Sequence, residues 1–213
     1  MFEGRKLIIG TKHKKENVIA PLLENNLGVT CFTPEYFDTD ILGTFTGEIE
    51  RKENPLITLR NKCLLAAEKY DCDLVVASEG SFGPDPSIFF VNADDEMVMF
   101  LDKKNDLEIV AREITTTTNF NGCEIKSEGE LKEFAQLVLF PSHALILRNA
   151  KNSNKNIIKG ITDWGTLITS YHEMVKVFGS AYCETDMRAL YNPTRMKVIE
   201  KATVKLIEKI KSL

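Results

Sequence analysis

The first eighty residues alternate short apolar runs with helix-spaced stretches, and this alternation constrains the fold more than any other feature. Lys6-Leu7-Ile8-Ile9-Gly10-Thr11 reads as a short buried strand. Val18, Ile19, Leu22, Leu23 and Leu27 then recur at the spacing of one helix face. Pro21 lies inside that stretch and predicts a late start or a kink. Gly28 supplies a stop, because glycine accepts the left-handed cap conformation cheaply. Val29-Thr30-Cys31-Phe32 is a second strand. Asp38 to Lys52 has no clean period and reads as a loop holding Gly43, Gly47 and several acids. Leu56, Leu59, Cys63, Ala66, Ala67 and Tyr70 share a second helix face, with Pro55 in the first turn, where its missing N–H costs nothing. Asp73 to Ser78 is a third strand. Strands separated by helices in this order predict parallel pairing through crossover connections.

The middle of the chain changes character. Met97 to Leu101 and Leu107 to Ala111 flank the polar Asp102-Lys103-Lys104-Asn105-Asp106, an antiparallel hairpin pattern. Ser127-x-x-Glu130 is a capping box ahead of Leu131, Phe134, Ala135 and Val138. Ala144 to Leu147 reads as another strand, and Ile157-Ile158 as a brief one. Asp163 caps a helix that Gly179 ends. Asn192-Pro193 opens a last helix with Met196, Ile199, Thr203, Leu206, Ile210 and Leu213 on its apolar side. The expected fold is α/β: a single domain over residues 1–213, with a mixed, twisted sheet, helices on both sides and an antiparallel hairpin extension near 97–115.

Composition removes several classes. A chain of 213 residues that is 43% hydrophobic and 27% charged is globular and needs no covalent staple to fold. The net charge of −4 disfavours a general nucleic-acid coat. No apolar run has the length of a membrane span, and the N-terminus has no signal-peptide layout. Cys31, Cys63, Cys72, Cys123 and Cys183 are widely spread with no C-x-x-C pair, which fits reduced thiols in a cytoplasmic protein.

Three places could carry chemistry. Thr11-Lys12-His13-Lys14-Lys15 joins a strand to a helix, where α/β sheets hold ligands and where helix N–H groups favour phosphate. The same residues also read as a solvated basic cluster, and the P-loop pattern is absent. Ser78-Glu79-Gly80-Ser81 closes the third strand. A carboxylate there can reach hydrated Mg²⁺ while backbone N–H groups stay open. Glu48, Glu50 and Glu53 supply further acids from the preceding loop, or simply a solvated surface. Finally, Asp186, Arg188, Asn192 and Arg195 surround the start of the last helix. Arginine forks match phosphate oxygens, but an Asp–Arg pair also stitches structure together. Ser142-His143 is the one histidine in a turn-rich context. No Gly-x-Ser-x-Gly elbow accompanies it, which argues against a serine hydrolase.

Two resemblances rest on these residues. Gly10 to Glu16, Asp38 to Glu48, Ala77 to Pro84, Phe140 to His143 and Glu184 to Met196 resemble the signature blocks of an uncharacterised bacterial family, a domain of unknown function, over nearly the whole chain. More distantly, the first 85 or so residues resemble the inosine/xanthosine triphosphate pyrophosphatases, which use Mg²⁺. Their Thr-x-Asn-x-x-Lys turn is similar to Thr11-Lys12-His13-Lys14-Lys15-Glu16, with His13 for the Asn and Glu16 for the Lys. Their Glu-Gly-Gly is similar to Glu79-Gly80-Ser81. The glutamate that binds metal on their helix would fall on Ile57, so Glu48 or Glu53 would have to replace it.

The resemblance and the residues together imply a Mg²⁺-dependent, pyrophosphatase-like phosphohydrolase acting on a nucleotide. Glu79 and Glu48 would hold the metal. Glu79, Lys12 and Lys15 would be catalytic. Thr11, His13, Ser78, Ser142, His143, Asp186, Arg188, Asn192 and Arg195 would bind substrate. Lys12, Glu79 and Arg195 are expected to line one cleft. The alternatives are a module that binds a phosphorylated metabolite without cleaving it, and an interaction protein with a charged surface. The expected partner is a small phosphorylated molecule, with no membrane and no general nucleic-acid binding; a homodimer is left open.

Overall fold

The computed structural model describes residues 1–34 and 54–213. The expected loop over 38–52, with Glu48 and Glu50, lies outside the described residues, as does Glu53. Chain order is β1 (Lys6–Gly10), α1 (Glu16–Leu27), β2 (Thr30–Phe32), α2 (Pro55–Lys69), β3 (Leu74–Pro84), β4 (Asn92–Asp102), β5 (Leu107–Thr115), β6 (Gly122–Ile125), α3 (Glu128–Leu137), β7 (Leu145–Arg148), β8 (Ile157–Ile161), α4 (Trp164–Phe178), β9 (Ala181–Thr185), a 3₁₀ turn (Ala189–Tyr191) and α5 (Pro193–Lys211).

A five-stranded sheet runs β2-β1-β3-β4-β5. The first three of these strands are parallel, and β3, β4 and β5 pair antiparallel, so the sheet is mixed. Alternation along the strands divides its two faces. Leu7, Ile9, Leu74, Val76, Val98 and Phe100 pack with α1 and α5. Ile8, Val75, Ala77, Met99 and Leu101 pack against α2. A second, four-stranded antiparallel sheet runs β6-β9-β7-β8 and builds its own core with α3 and α4. The whole is a single mixed α/β domain with helices on both sides of the larger sheet.

Helix starts follow the cap chemistry read from the sequence. Ser127, Asp163 and Asn192 accept from the backbone N–H groups of Glu130, Thr166 and Arg195, and Asn54 does the same for Leu56. Each such cap contributes about 1 kcal/mol. α1 runs straight through Pro21 from Glu16 rather than starting late.

One boundary changes the reading of the site. β3 does not end at Ser78; it continues to Pro84, because β4 offers an equally long antiparallel partner, registered from Leu74↔Asp102 to Pro84↔Asn92. It is β1 that stops, at Gly10 beside Ala77. Ser78, Glu79 and Gly80 are therefore mid-strand residues whose parallel neighbour has ended. Period-two alternation puts Ser78 and Gly80 on the α5 face and Glu79 on the α2 face.

Candidate functional site

The chain leaves β1 through a tight turn in which His13 and Lys14 take left-handed backbone angles, φ 70° and 59°. This turn carries Lys12 outward and folds Lys15 back over the end of the strand. Lys15 is only 4% exposed, and its ammonium donates to the Ser78 hydroxyl at 3.0 Å. Among the described residues it makes no ion pair. Burial lowers its pKa to about 7, with the positive charge of Arg195 the next contributor. Glu96 and Glu79 oppose that shift and Lys62 adds to it, so Lys15 senses charges on both faces of the sheet.

On the α5 face, Gly80 pairs across the ladder with Glu96, and Phe82 with Asp94. Both acids are fully buried. Arg195, in the first turn of α5, reaches down to them. Its Nε donates to Glu96 Oε1 at 2.6 Å and its Nη1 to the Met187 carbonyl at 2.5 Å, while its guanidinium lies 5.1 Å from the centre of the Phe82 ring. The pair fits only because residue 80 is glycine. A Cβ there would stand 2.1 Å from Glu96 Oε1 and 2.7 Å from Arg195 Nη2. Asp94 has no such partner: among the described residues, neither of its carboxylate oxygens, nor Glu96 Oε2, has a hydrogen-bond donor. Burial, followed by the neighbouring charge of Glu96, raises the Asp94 carboxyl far above the ordinary carboxylate range, against the pull of Arg195 and Lys15.

On the opposite face, Lys62 from α2 forms a buried ion pair with Glu79. The expected single cleft of Lys12, Glu79 and Arg195 is thus corrected. Glu79 and Arg195 lie on opposite faces of one sheet, and it is Lys15, not the exposed Lys12, that sits between them at the end of β1.

A cavity of about 370 Å³ adjoins the α5 face, bounded by Phe82, Phe120, Ile146, Arg148, Asp186 and Arg188 among others. The Phe82 and Phe120 rings stand 5.5 Å apart. Asp186 and Arg188 belong to its wall, yet they chiefly hold each other. Arg188 donates Nε to Asp186 Oδ1 at 2.9 Å and Nη2 to Asp186 Oδ2 at 2.5 Å, while Asp186 also accepts from the backbone of Gly160 and Arg188. Arg188 stacks 4.6 Å over Tyr191.

The remaining expected residues serve the frame. Thr11 is buried in the turn, its hydroxyl donating to the Lys12 carbonyl, and His13 is half-buried there. Asn192 caps α5 and donates to Asn119 Oδ1 at 2.8 Å, a structural role. His143 sits between the hydroxyls of Ser142 (2.9 Å) and Thr194 (2.8 Å), its pKa lowered by burial; neither Ser142 nor His143 bounds the cavity. Glu48 lies outside the described residues.

The sequence reading missed Lys62, Phe82, Asp94 and Glu96. A signal existed for the last two. Carrying the alternation of Phe100 and Val98 backwards along β4 places Glu96 and then Asp94 on the buried, apolar-facing side.

A family model described as a domain of unknown function (DUF6671) matches residues 62–213, and the chain belongs to that family. The match includes Lys62, Glu79, Gly80, Asp94, Glu96 and Arg195, and begins after Lys15. No curated protein matches the chain. Among solved structures, protein VC0702 from Vibrio cholerae is similar with a TM-score of 0.46 and 8% sequence identity, over 98% of this chain and 96% of that one.

Proposed function

We propose that this family member is a Mg²⁺-dependent phosphohydrolase acting on a nucleotide. The observation that carries the reading is Lys15. A buried ammonium beyond the carboxyl end of a parallel strand, bonded to a serine hydroxyl rather than to a carboxylate, is a place for an anion. Nearby, Phe82 and Phe120 give the cavity an aromatic wall suited to the flat part of such a ligand. The pyrophosphatase-like form of the reaction rests on the resemblance of the opening turn and of Glu79-Gly80-Ser81. The five cysteines, free of disulfides, are in keeping with a cytoplasmic setting.

In this reading Lys15 neutralises charge that builds on the phosphate oxygens. With its pKa near 7, Nζ can also hold or release a proton around neutral pH. Ser78 fixes the direction of that ammonium. Glu79 acts through Lys62, keeping a second positive group at the same strand end. Asp186 keeps the Arg188 guanidinium at the cavity wall. Buried carboxylates at this end of the sheet would hold Mg²⁺, which would supply Lewis-acid stabilisation of phosphate charge and an activated water.

Purified protein incubated with a panel of nucleoside triphosphates and Mg²⁺ should release phosphate or pyrophosphate from at least one of them. Lys15→Met should lower kcat by about a hundredfold or more, the scale of losing one charge-stabilising group. No release from any nucleotide ends the hydrolase reading. A rise in thermal stability without release leaves the binding module in its place; a ligand at about 100 times its Kd adds about 2.7 kcal/mol.

A further inference from the structure

Three buried oxygen atoms point to a site that neither family membership nor the opening motifs assign. Asp94 Oδ1, Asp94 Oδ2 and Glu96 Oε2 are shielded from solvent and have no donor among the described residues. The two residues stand two apart on β4, so both side chains leave the same face of the sheet, about 7 Å apart at Cα. The cations around them bond to other atoms, although Arg195 Nη2 makes no hydrogen bond to a described residue. Arg195 gives Nε to the other oxygen of Glu96 and Nη1 to the Met187 carbonyl, and Lys15 donates to Ser78. Leaving such carboxylate oxygens unmatched is costly, so natural structures keep them where something outside the chain completes them.

We propose that Asp94 and Glu96 form a divalent-cation site, selective for Mg²⁺ or Mn²⁺. Three carboxylate oxygens from two residues suit Mg²⁺, which takes one or two carboxylates and fills its remaining positions with water and phosphate oxygens. Among the described residues no group of three or more His, Cys, Asp and Glu side chains converges, as a dedicated all-protein cage would require. Glu79, the ligand expected from the sequence, lies on the other face against Lys62. Phe82, the cross-strand partner of Asp94, bounds the cavity, so the cation would sit one side chain behind the wall that a phosphorylated ligand would touch. The neighbouring charged groups are Glu96, Arg195, Lys15 and Asp95; a bound cation would offset the repulsion between the Asp94 and Glu96 carboxylates.

The inference deepens the phosphohydrolase reading, but its test needs no turnover. Mn²⁺ added to the full chain should lose the electron paramagnetic resonance signal of the free ion at one site, and Mg²⁺ should displace it. Asp94→Asn should weaken Mn²⁺ binding by about tenfold or more, while Glu79→Gln should bind as the native chain does. If the Asn variant does not fold, the ¹³C carboxyl resonance of Asp94 in the native chain reads the same site and should move when Mg²⁺ is added. An unchanged free-ion signal at millimolar protein, equal binding by Asp94→Asn, loss of binding in Glu79→Gln, or a static Asp94 resonance each overturns the site. Cation binding with no nucleotide cleaved leaves the site standing and removes the hydrolase reading. Cleavage by a chain that binds no cation at Asp94 does the reverse.

Discussion

Strand β4 carries a fully buried aspartate at each end, on the same face, and the two are treated in opposite ways. Asp102 receives Arg5 Nη1 at 2.6 Å and Nη2 at 2.7 Å, Asn105 Nδ2 at 2.6 Å, and the backbone N–H groups of Lys104 and Asn105. Burial works against its charge, yet the hydrogen bonds from Arg5 and Asn105 prevail and its pKa falls below the ordinary value. Asp94 is equally inaccessible and receives no hydrogen bond from the described residues. There burial prevails and the pKa rises. Burial by itself therefore does not decide the charge of a carboxylate; the donors aimed at it do. One end of the strand is closed by the chain's own side chains. The other is left chemically incomplete, beside the cavity and the buried lysine.

The sharpest way to break this contrast is to remove the cation from the incomplete end. Arg195→Met leaves Glu96 and Asp94 as buried acids without their arginine and should cost about 3–5 kcal/mol in urea unfolding. A loss below about 1 kcal/mol would mean that the charged end does not depend on its ion pair. The next effect is a difference between two isosteric changes. Asp102→Asn forfeits a bidentate arginine and should cost about 1.5–3 kcal/mol. Asp94→Asn, measured in metal-free buffer at pH 8, should lie within about 0.5 kcal/mol of the native chain or be more stable. Equal losses from the two would erase the distinction.

A further effect lies in the pH dependence of stability, and its sign follows from which state holds more protons. Asp94 is raised in the fold, so the folded state keeps a proton that the unfolded chain has lost. Stability therefore falls as pH climbs from the ordinary carboxylate value of 3.8 towards neutrality. Lys15 is lowered in the fold, so the unfolded chain holds the extra proton between about 7 and 10.5, and stability rises with pH across that window. The two limbs meet in a minimum near neutral pH. Thermal scans should show Asp94→Asn removing the falling limb and Lys15→Met the rising one; an unchanged profile in either variant would remove that group as its source.

The elements that proved legible announced themselves locally. The apolar run 6–11, the helix faces of α2 and α5 and the caps Ser127, Asp163 and Asn192 involve neighbours within a turn or two of chain. β6 and β9 escaped because they lack that signal. β6 is four residues long, and β9 buries Ala181, Cys183 and Thr185, small side chains that hardly register as an apolar stripe. The end of β3 escaped for a different reason. Gly80, Gly83 and Pro84 are poor strand formers, but the eleven-residue partner strand holds them extended. Lys15, Ser78 and Arg195 were picked out by residue type at element ends, whereas their pairings join segments 63 residues apart (Lys15 with Ser78) and 99 apart (Arg195 with Glu96).

Local periodicity and cap chemistry were thus enough to set the α/β class, the parallel opening and the central hairpin, because hydrophobic spacing and backbone satisfaction act over a few residues. Which charges meet is a different kind of fact. Glu79 went to Lys62 and Glu96 to Arg195 because strand parity and the lengths of β1 and β3 sorted them onto opposite faces. Asp94 receives no hydrogen bond from the described residues, while the Arg195 Nε beside it goes to Glu96. Coulombic pairing depends on distance in space, and that distance exists only once the sheet has formed.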